Sequence, residues 1–145
     1  MQIKAMLEAW YQQVWIEGNL DAVDMFFKPD TKAAGFVNGF TAGPEDTKEF
    51  VTAGRLFFEP LKVAVLHVIQ QDNWVSALIQ MDLRHREKGL AMSFTGQVMM
   101  RMEGPYIVEA YNHFDYISLL EQAELLPPGT MEICLSGQAV GIEAA

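Results

Sequence analysis

Apolar positions step along this chain at two periods. Ile3, Met6, Leu7, Trp10 and Val14 recur every three or four residues, the spacing of one helix face. Gly18 closes that helix at the usual position of a C-terminal cap. Asn19 is placed to cap a second, shorter helix, which carries Leu20, Val23 and Phe27 and stops at Pro29. Ala33 to Phe40 is short, apolar and glycine-bearing, and reads as a short strand or a pocket-rim loop. Gly43-Pro44-Glu45-Asp46 starts a third helix, with proline in the first turn and acids near the positive end of the helix dipole. Phe50, Val51, Gly54, Phe57 and Phe58 give it one apolar face, and Pro60 ends it.

From Leu61 the period becomes two. Leu61–Gln71 and Trp74–His85 flank Asp72-Asn73, a tight hairpin turn. Ala91–Met102 and Tyr106–Phe114 follow across two short links. Helices first and an antiparallel meander second predict an α+β fold. Alternation in the central strands puts Ile79, Phe94 and Val98 toward the helices and Gln80, Gln97 and Arg101 outside. Even-length turns carry that parity into the last strand, so Ile107, Glu109, Tyr111, His113 and Asp115 are expected on the inner face. A β-bulge would reverse it and bring Asn112 inward. Leu78, Met99, Val108 and Phe114 then fall on the outer face and predict a partner sheet, hence a homodimer.

Composition narrows the classes. A chain of 145 residues, half of them hydrophobic, predicts one domain over residues 1–127. Residues 128–145, after Pro127, form a tail with strand propensity at Met131–Leu135. A net charge of -9 argues against a nucleic-acid partner. No apolar run is long enough for a membrane span, and the N-terminus has no secretory pattern, so a cytoplasmic protein is expected. Cys134 is alone, which excludes an internal disulfide and a cysteine metal cluster. His67 and His85 have no ligand spacing, and no metal or cofactor is expected. Nucleophile triads, phosphate loops and dinucleotide fingerprints are missing too.

The chemistry gathers where the last strand runs into a helix, Tyr111 to Gln122, with Asp115 at the junction. A carboxylate there has two readings. It caps the helix, worth ~1 kcal/mol. Or it lies in an apolar cavity, where burial raises its pKa from about 3.9 and suits it to acid/base work near neutral pH. His113 either tunes that carboxylate or is a histidine bonded into the fold. Glu109 is a second pocket carboxylate or a partner of Arg101. Tyr111 is a candidate donor to a carbonyl oxygen. Tyr11, Trp15, Phe36 and Phe57, with Trp10, Phe40 and Phe58, line a pocket for an apolar or aromatic small molecule or simply form core. Asn38 is the polar side chain of that rim.

Ile107-Val108-Glu109-Ala110-Tyr111-Asn112-His113-Phe114-Asp115, with Leu119-Leu120 and Gln122, resembles the closing strand and helix of the SnoaL-like polyketide cyclases. These belong to the ketosteroid-isomerase-like group with the nuclear transport factor 2 fold. Trp15-Ile16-Glu17-Gly18-Asn19-Leu20-Asp21-Ala22 and Gly43-Pro44-Glu45 fit the same family, so the resemblance spans roughly residues 5 to 127. It implies a cone, with the N-terminal helices in the concave face of a curved, mainly antiparallel sheet. It also implies that Asp115 is the acid/base of a cofactor-free aldol cyclisation or isomerisation. Tyr111 stands where the family commonly has Trp, and the tail extends beyond the family's usual end. The alternative on the same fold is a non-catalytic ligand-binding or dimerisation module.

Overall fold

The computed structural model describes residues 2–36 and 39–141. Helix α1 (Ile3–Trp10) passes without a break into a π-helical turn, Tyr11–Ile16. There the Glu17 N–H reaches back five residues to the Gln12 carbonyl, at 2.9 Å. A 3₁₀ turn (Leu20–Ala22) and α2 (Val23–Phe26) follow. Then come β1 (Phe27–Ala34), the short β2 (Thr41–Ala42) and α3 (Pro44–Phe57). The meander is β3 (Phe58–Gln71), β4 (Trp74–His85), β5 (Ala91–Glu103) and β6 (Tyr106–Phe114), and α4 (Tyr116–Gln122) and α5 (Thr130–Leu135) close the described chain.

The six strands form one curved, unclosed sheet in the order β2-β1-β6-β5-β4-β3. Every pairing is antiparallel except β1 with β6, so the sheet is mixed. The helices supply Leu7, Val14 and Val51 to the core, and the sheet meets them with Ile79, Val98 and Ile107, all buried. Ile79, Phe94 and Val98 lie inside, and Gln80, Gln97 and Arg101 outside, as the alternation predicts. Asp72-Asn73 makes the expected two-residue turn, with Gln71 paired to Trp74.

Two prolines behave differently from the sequence reading. Pro29 lies within β1 instead of ending a helix, and the helix stops at Phe26. The β1–β6 register jumps between Phe27 and Lys32, so Pro29 sits where the ladder asks for no N–H. Pro60 lies within β3, next to a register shift on an edge strand that tolerates it for the same reason. The tail differs as well. Thr130–Leu135 is helical, not extended. The Thr130 hydroxyl donates to the Pro127 carbonyl at 2.5 Å and the Met131 N–H to Glu121 at 3.0 Å, which tie the segment to the end of α4.

The consequential difference is in β6. Met102 pairs with Ile107 and Arg101 with Glu109, which leaves Val108 as an extra residue. This bulge reverses the parity of everything after it. Ala110 and Asn112 turn inward and are buried, while Tyr111 and His113 are exposed on the outer face. The Ile107 carbonyl beside the bulge accepts from the Thr31 hydroxyl at 2.6 Å, and Thr31 is wholly buried for that purpose. Two glycines let the reversed strand pack. A Cβ on Gly96 would fall 2.2 Å from the Phe114 ring, so only glycine leaves room for Phe114 to lie across β5. Gly35, at φ +94, lies so close to β6 that a Cβ would overlap the Asn112 carbonyl.

Candidate functional site

Between the helices and the concave sheet face lies a cavity of about 290 Å³. Its walls come from almost every element: Trp10, Tyr11 and Trp15 from the first helix and π-turn, Phe50 from α3, Phe58 from β3, Met81 and Phe94 from β4 and β5, and Leu119 and Leu120 from α4. The π-turn matters here, because such turns re-aim side chains and recur at functional sites. Arg55 of α3 holds its end, donating to the carbonyls of Trp15 and, at 2.9 Å, Ile16. Trp15 then meets Phe50 edge-on, with ring centroids 5.8 Å apart.

Three polar side chains besides the tryptophans interrupt this apolar lining: Tyr11, Asn112 and Tyr116. Burial pushes the Tyr11 phenol well above its ordinary value, and the neighbouring Tyr116 phenol adds to the effect. Burial likewise pushes Tyr116 up to about 12. Like any phenol, both hydroxyls are protonated at neutral pH and can donate, and the shifts carry that state into alkaline solution. The Asn112 amide is anchored, its Nδ2 donating to the Ala34 carbonyl at 3.0 Å. Among the described residues, no carboxylate or imidazole lines the cavity.

The expected site residues divide into three groups. Tyr11, Trp15 and Phe36 line the cavity. Glu109, Tyr111 and His113 do not, because the bulge turns them outward. On the outer face Glu109 accepts from Arg101 at 2.9 Å and from the Tyr111 hydroxyl. The Tyr111 hydroxyl and then Arg101 hold its carboxyl below the usual range, and the same bond raises the Tyr111 phenol. Phe57 is 62% exposed at the end of α3, away from the cavity that Phe50 and Phe58 line instead. Asn38 lies outside the described residues.

Asp115 is exposed at the N-terminus of α4, where its Oδ1 accepts the Ser118 N–H at 3.1 Å. It is the cap of that helix and not part of the cavity lining. Phe114 and Tyr116, its neighbours on either side, do line the cavity. Phe114, expected on the outer face, is thus also an inner residue. The residues that sequence reasoning missed are Asn112 and Tyr116. Asn112 was reachable only through the bulge. Tyr116 follows the strand end directly, and its apolar ring in the first turn of an amphipathic helix was a signal. Among the described residues no three His, Cys, Asp or Glu side chains gather as a metal site needs. No described helix is long and apolar enough to cross a membrane.

Comparisons with known proteins agree with this architecture. IdmH from Streptomyces antibioticus, a candidate polyketide cyclase, superposes with a TM-score of 0.72 at 18% identity, covering 86% of this chain and 99% of that one. A protein with a ketosteroid isomerase-like fold from Catenulispora acidiphila gives 0.70 at 16% identity, covering 82% and 92%. TsrD from Streptomyces laurentii gives 0.69 at 12% identity, covering 83% and 92%. At these identities the likeness establishes the fold alone. No curated protein matches the chain. The family model of the SnoaL-like polyketide cyclases matches residues 5–123, most of the chain, and the protein belongs to that family.

Proposed function

We propose that the cavity binds a small apolar carbonyl compound, with the carbonyl oxygen toward Tyr11 and Tyr116. One observation carries this reading: the lining is apolar except for a few uncharged polar side chains, two of them phenols whose hydroxyls can donate. A volume of about 290 Å³ is at the small end of ligand pockets, about 300–1,000 Å³. Donors aimed at a carbonyl oxygen in a dry site polarise it and favour its enol. Aldol closure or isomerisation needs, in addition, a base for the α proton.

Asp115 supplies that base in a second reading, which is favoured by its position between two lining residues. In that reading the carboxyl leaves the Ser118 N–H and turns inward, without His113, which is on the outer face.

One titration separates the two readings. Binding of 2-acetylnaphthalene is followed by the fluorescence of Trp10 and Trp15, with Trp74 on the distal hairpin as an internal reference. Saturable quenching is expected, weakened about 3–10-fold by Tyr11→Phe or Tyr116→Phe, the value of one hydrogen bond. Asp115→Asn should leave it unchanged. A diketone that cyclises with wild type but not with Asp115→Asn would establish the second reading. Failure of every apolar ketone to bind would refute both.

We also propose a homodimer through the outer sheet face. Ile69, Ser76, Met99 and Tyr111 stand in one cross-strand row there, and Ile69, Met99 and Tyr111 are exposed. Light scattering at micromolar concentration should give twice the 16.3 kDa chain mass, and a clean monomer would refute it.

A further inference from the structure

The polar side chains of the cavity are not equivalent. Tyr11 and Tyr116 carry hydroxyls that donate as readily as they accept. Asn112 is 7% exposed, and its amide is fixed by the bond from Nδ2 to the Ala34 carbonyl. A carbonyl oxygen only accepts, so the NH₂ must be the end at Ala34, and the amide oxygen Oδ1 is the other end. Among the described residues Oδ1 has no donor, yet no side-chain polar atom there is both sealed from solvent and unpaired. Oδ1 is an accessible acceptor on a residue that lines the cavity. A ligand that puts an apolar group against it forfeits a hydrogen bond, and a ligand that brings an O–H gains one.

Charge narrows the ligand further. Helix α1 and its π-turn, β1, α3, β3 to β6 and α4 all contribute to the wall, and the titratable side chains among those described lining residues are Tyr11 and Tyr116. No lysine or arginine is among them. An anion would exchange its hydration for two neutral phenols and would face the negative end of the Asn112 amide dipole.

Resting on the binding function argued above, we propose that Asn112 makes the cavity select neutral ligands that carry an O–H apart from the carbonyl. The O–H donates to Asn112 Oδ1, and the carbonyl accepts from Tyr11 or Tyr116. The chemical class is a hydroxy ketone whose O–H lies across an apolar ring from the carbonyl, out of reach of an internal hydrogen bond, and which is taken up protonated. Asn112 is the specificity-determining residue.

The test compares 2-acetylnaphthalene with 6-hydroxy-2-acetylnaphthalene, by the tryptophan titration already described. Wild type should bind the hydroxy ketone about tenfold more tightly, the value of one good hydrogen bond to a buried acceptor. Asn112→Leu should bring the ratio to about one while the parent ketone still binds. Raising the pH through the ionisation of the hydroxy ketone should weaken its binding and leave the parent ketone unaffected. Equal binding of the two ketones by wild type would overturn the acceptor role while leaving the ketone site intact. Undiminished binding of the ionised probe would overturn selection of the neutral form. If neither ketone binds, the cavity is not a ketone site and this inference falls with it. The wild-type ratio and the pH series need no variant, so a poorly folding Asn112→Leu does not rescue the proposal.

Discussion

The two faces of β6 share a backbone and little else. Inward it presents Ile107, Ala110, Asn112 and Phe114, in contact with an apolar cavity. Outward it presents Glu109, Tyr111 and His113, with Glu109 paired to Arg101 and to the Tyr111 hydroxyl. A carboxylate and an imidazole are tolerated on the outer side because water and a guanidinium solvate them. A single amide is tolerated on the inner side because a backbone carbonyl anchors it. The extra residue at Val108 decides which set goes where. A family likeness carried by the same residue types therefore does not fix which of them reach the ligand.

Deleting Val108 is the harshest way to break this contrast. It would return Glu109, Tyr111 and His113 to the concave face and expel Asn112. The expected loss exceeds about 4 kcal/mol, enough to abolish cooperative thermal unfolding. A variant that still melts cooperatively near the wild-type temperature would show that the bulge does not set the faces.

Putting the same charge on each face sharpens the contrast. Asn112→Asp places a carboxyl in the apolar interior, opposite the Ala34 carbonyl. Its folded pKa should be raised, so the folded state holds a proton that the unfolded chain releases above about 3.9. Stability is then retained at low pH and lost as pH rises from that point, reaching roughly 3–5 kcal/mol for an uncompensated charge. Glu109 runs the other way. Its carboxyl is lowered by Tyr111 and Arg101, so its contribution is present above its ordinary value of 4.5 and lost as pH falls through the folded one. In urea melts across an acid-to-neutral pH series both Asn112→Asp and Glu109→Gln should therefore lose stability relative to wild type as pH rises, Asn112→Asp far more steeply, because it creates an uncompensated inner charge while Glu109→Gln only removes a compensated outer one. An Asn112→Asp loss no steeper than that of Glu109→Gln would refute the assignment of faces.

The cavity tyrosines give a smaller effect at the alkaline end. Tyr116 is raised to about 12 from 10.0 by desolvation, and Tyr11 is raised by the same cause. The folded state resists their ionisation. Stability is intact below about pH 10 and falls above it as the unfolded chain ionises first, by roughly 2–3 kcal/mol per phenol at most by pH 12. In an absorbance titration these two phenolates should appear only with unfolding. Early ionisation of either would show that the cavity is wetter than its walls suggest.

Asp115 should give the smallest change. Asp115→Ala is expected to lose about 1 kcal/mol and Asp115→Asn a few tenths, as for other helix caps, by urea denaturation. Loss of ketone binding in Asp115→Asn at unchanged stability would move this residue into the site.

Elements whose signal is local were legible in the sequence. The α1 stripe, the Gly43-Pro44 helix start, the Asp72-Asn73 turn and the alternation of β4 and β5 each need only a few neighbouring residues. The aromatic lining was partly legible for the same reason, since Tyr11, Trp15 and Phe36 lie on apolar faces. The site's polar end was not, because it depends on register. Nothing in Tyr106 to Phe114 marks Val108 as the extra residue, and Thr31, which satisfies the carbonyl beside it, is 76 positions from that carbonyl's residue. Phe57 and Phe58 show the same limit at a helix end. Both fit the apolar face of α3, but the chain becomes extended at Phe58, so one ring enters the cavity and the other points to solvent.

Gln122 has a further consequence for the sheet. β6 ends at Phe114, opposite Gly96, which leaves the first residues of β5 without a neighbouring strand on that side. The Gln122 amide stands in for the missing strand. Its Oε1 accepts from the Ser93 N–H at 3.0 Å and its Nε2 donates to the Ser93 carbonyl at 2.8 Å, while the Asp115 N–H donates to the Thr95 carbonyl at 2.9 Å. A stretch of open ladder beside an apolar mouth is a template on which other chains can add strands. By answering it with one side chain from α4, the fold ties resistance to aggregation to the same helix that walls its cavity. A change in α4 made to enlarge the cavity would therefore be read first in solubility.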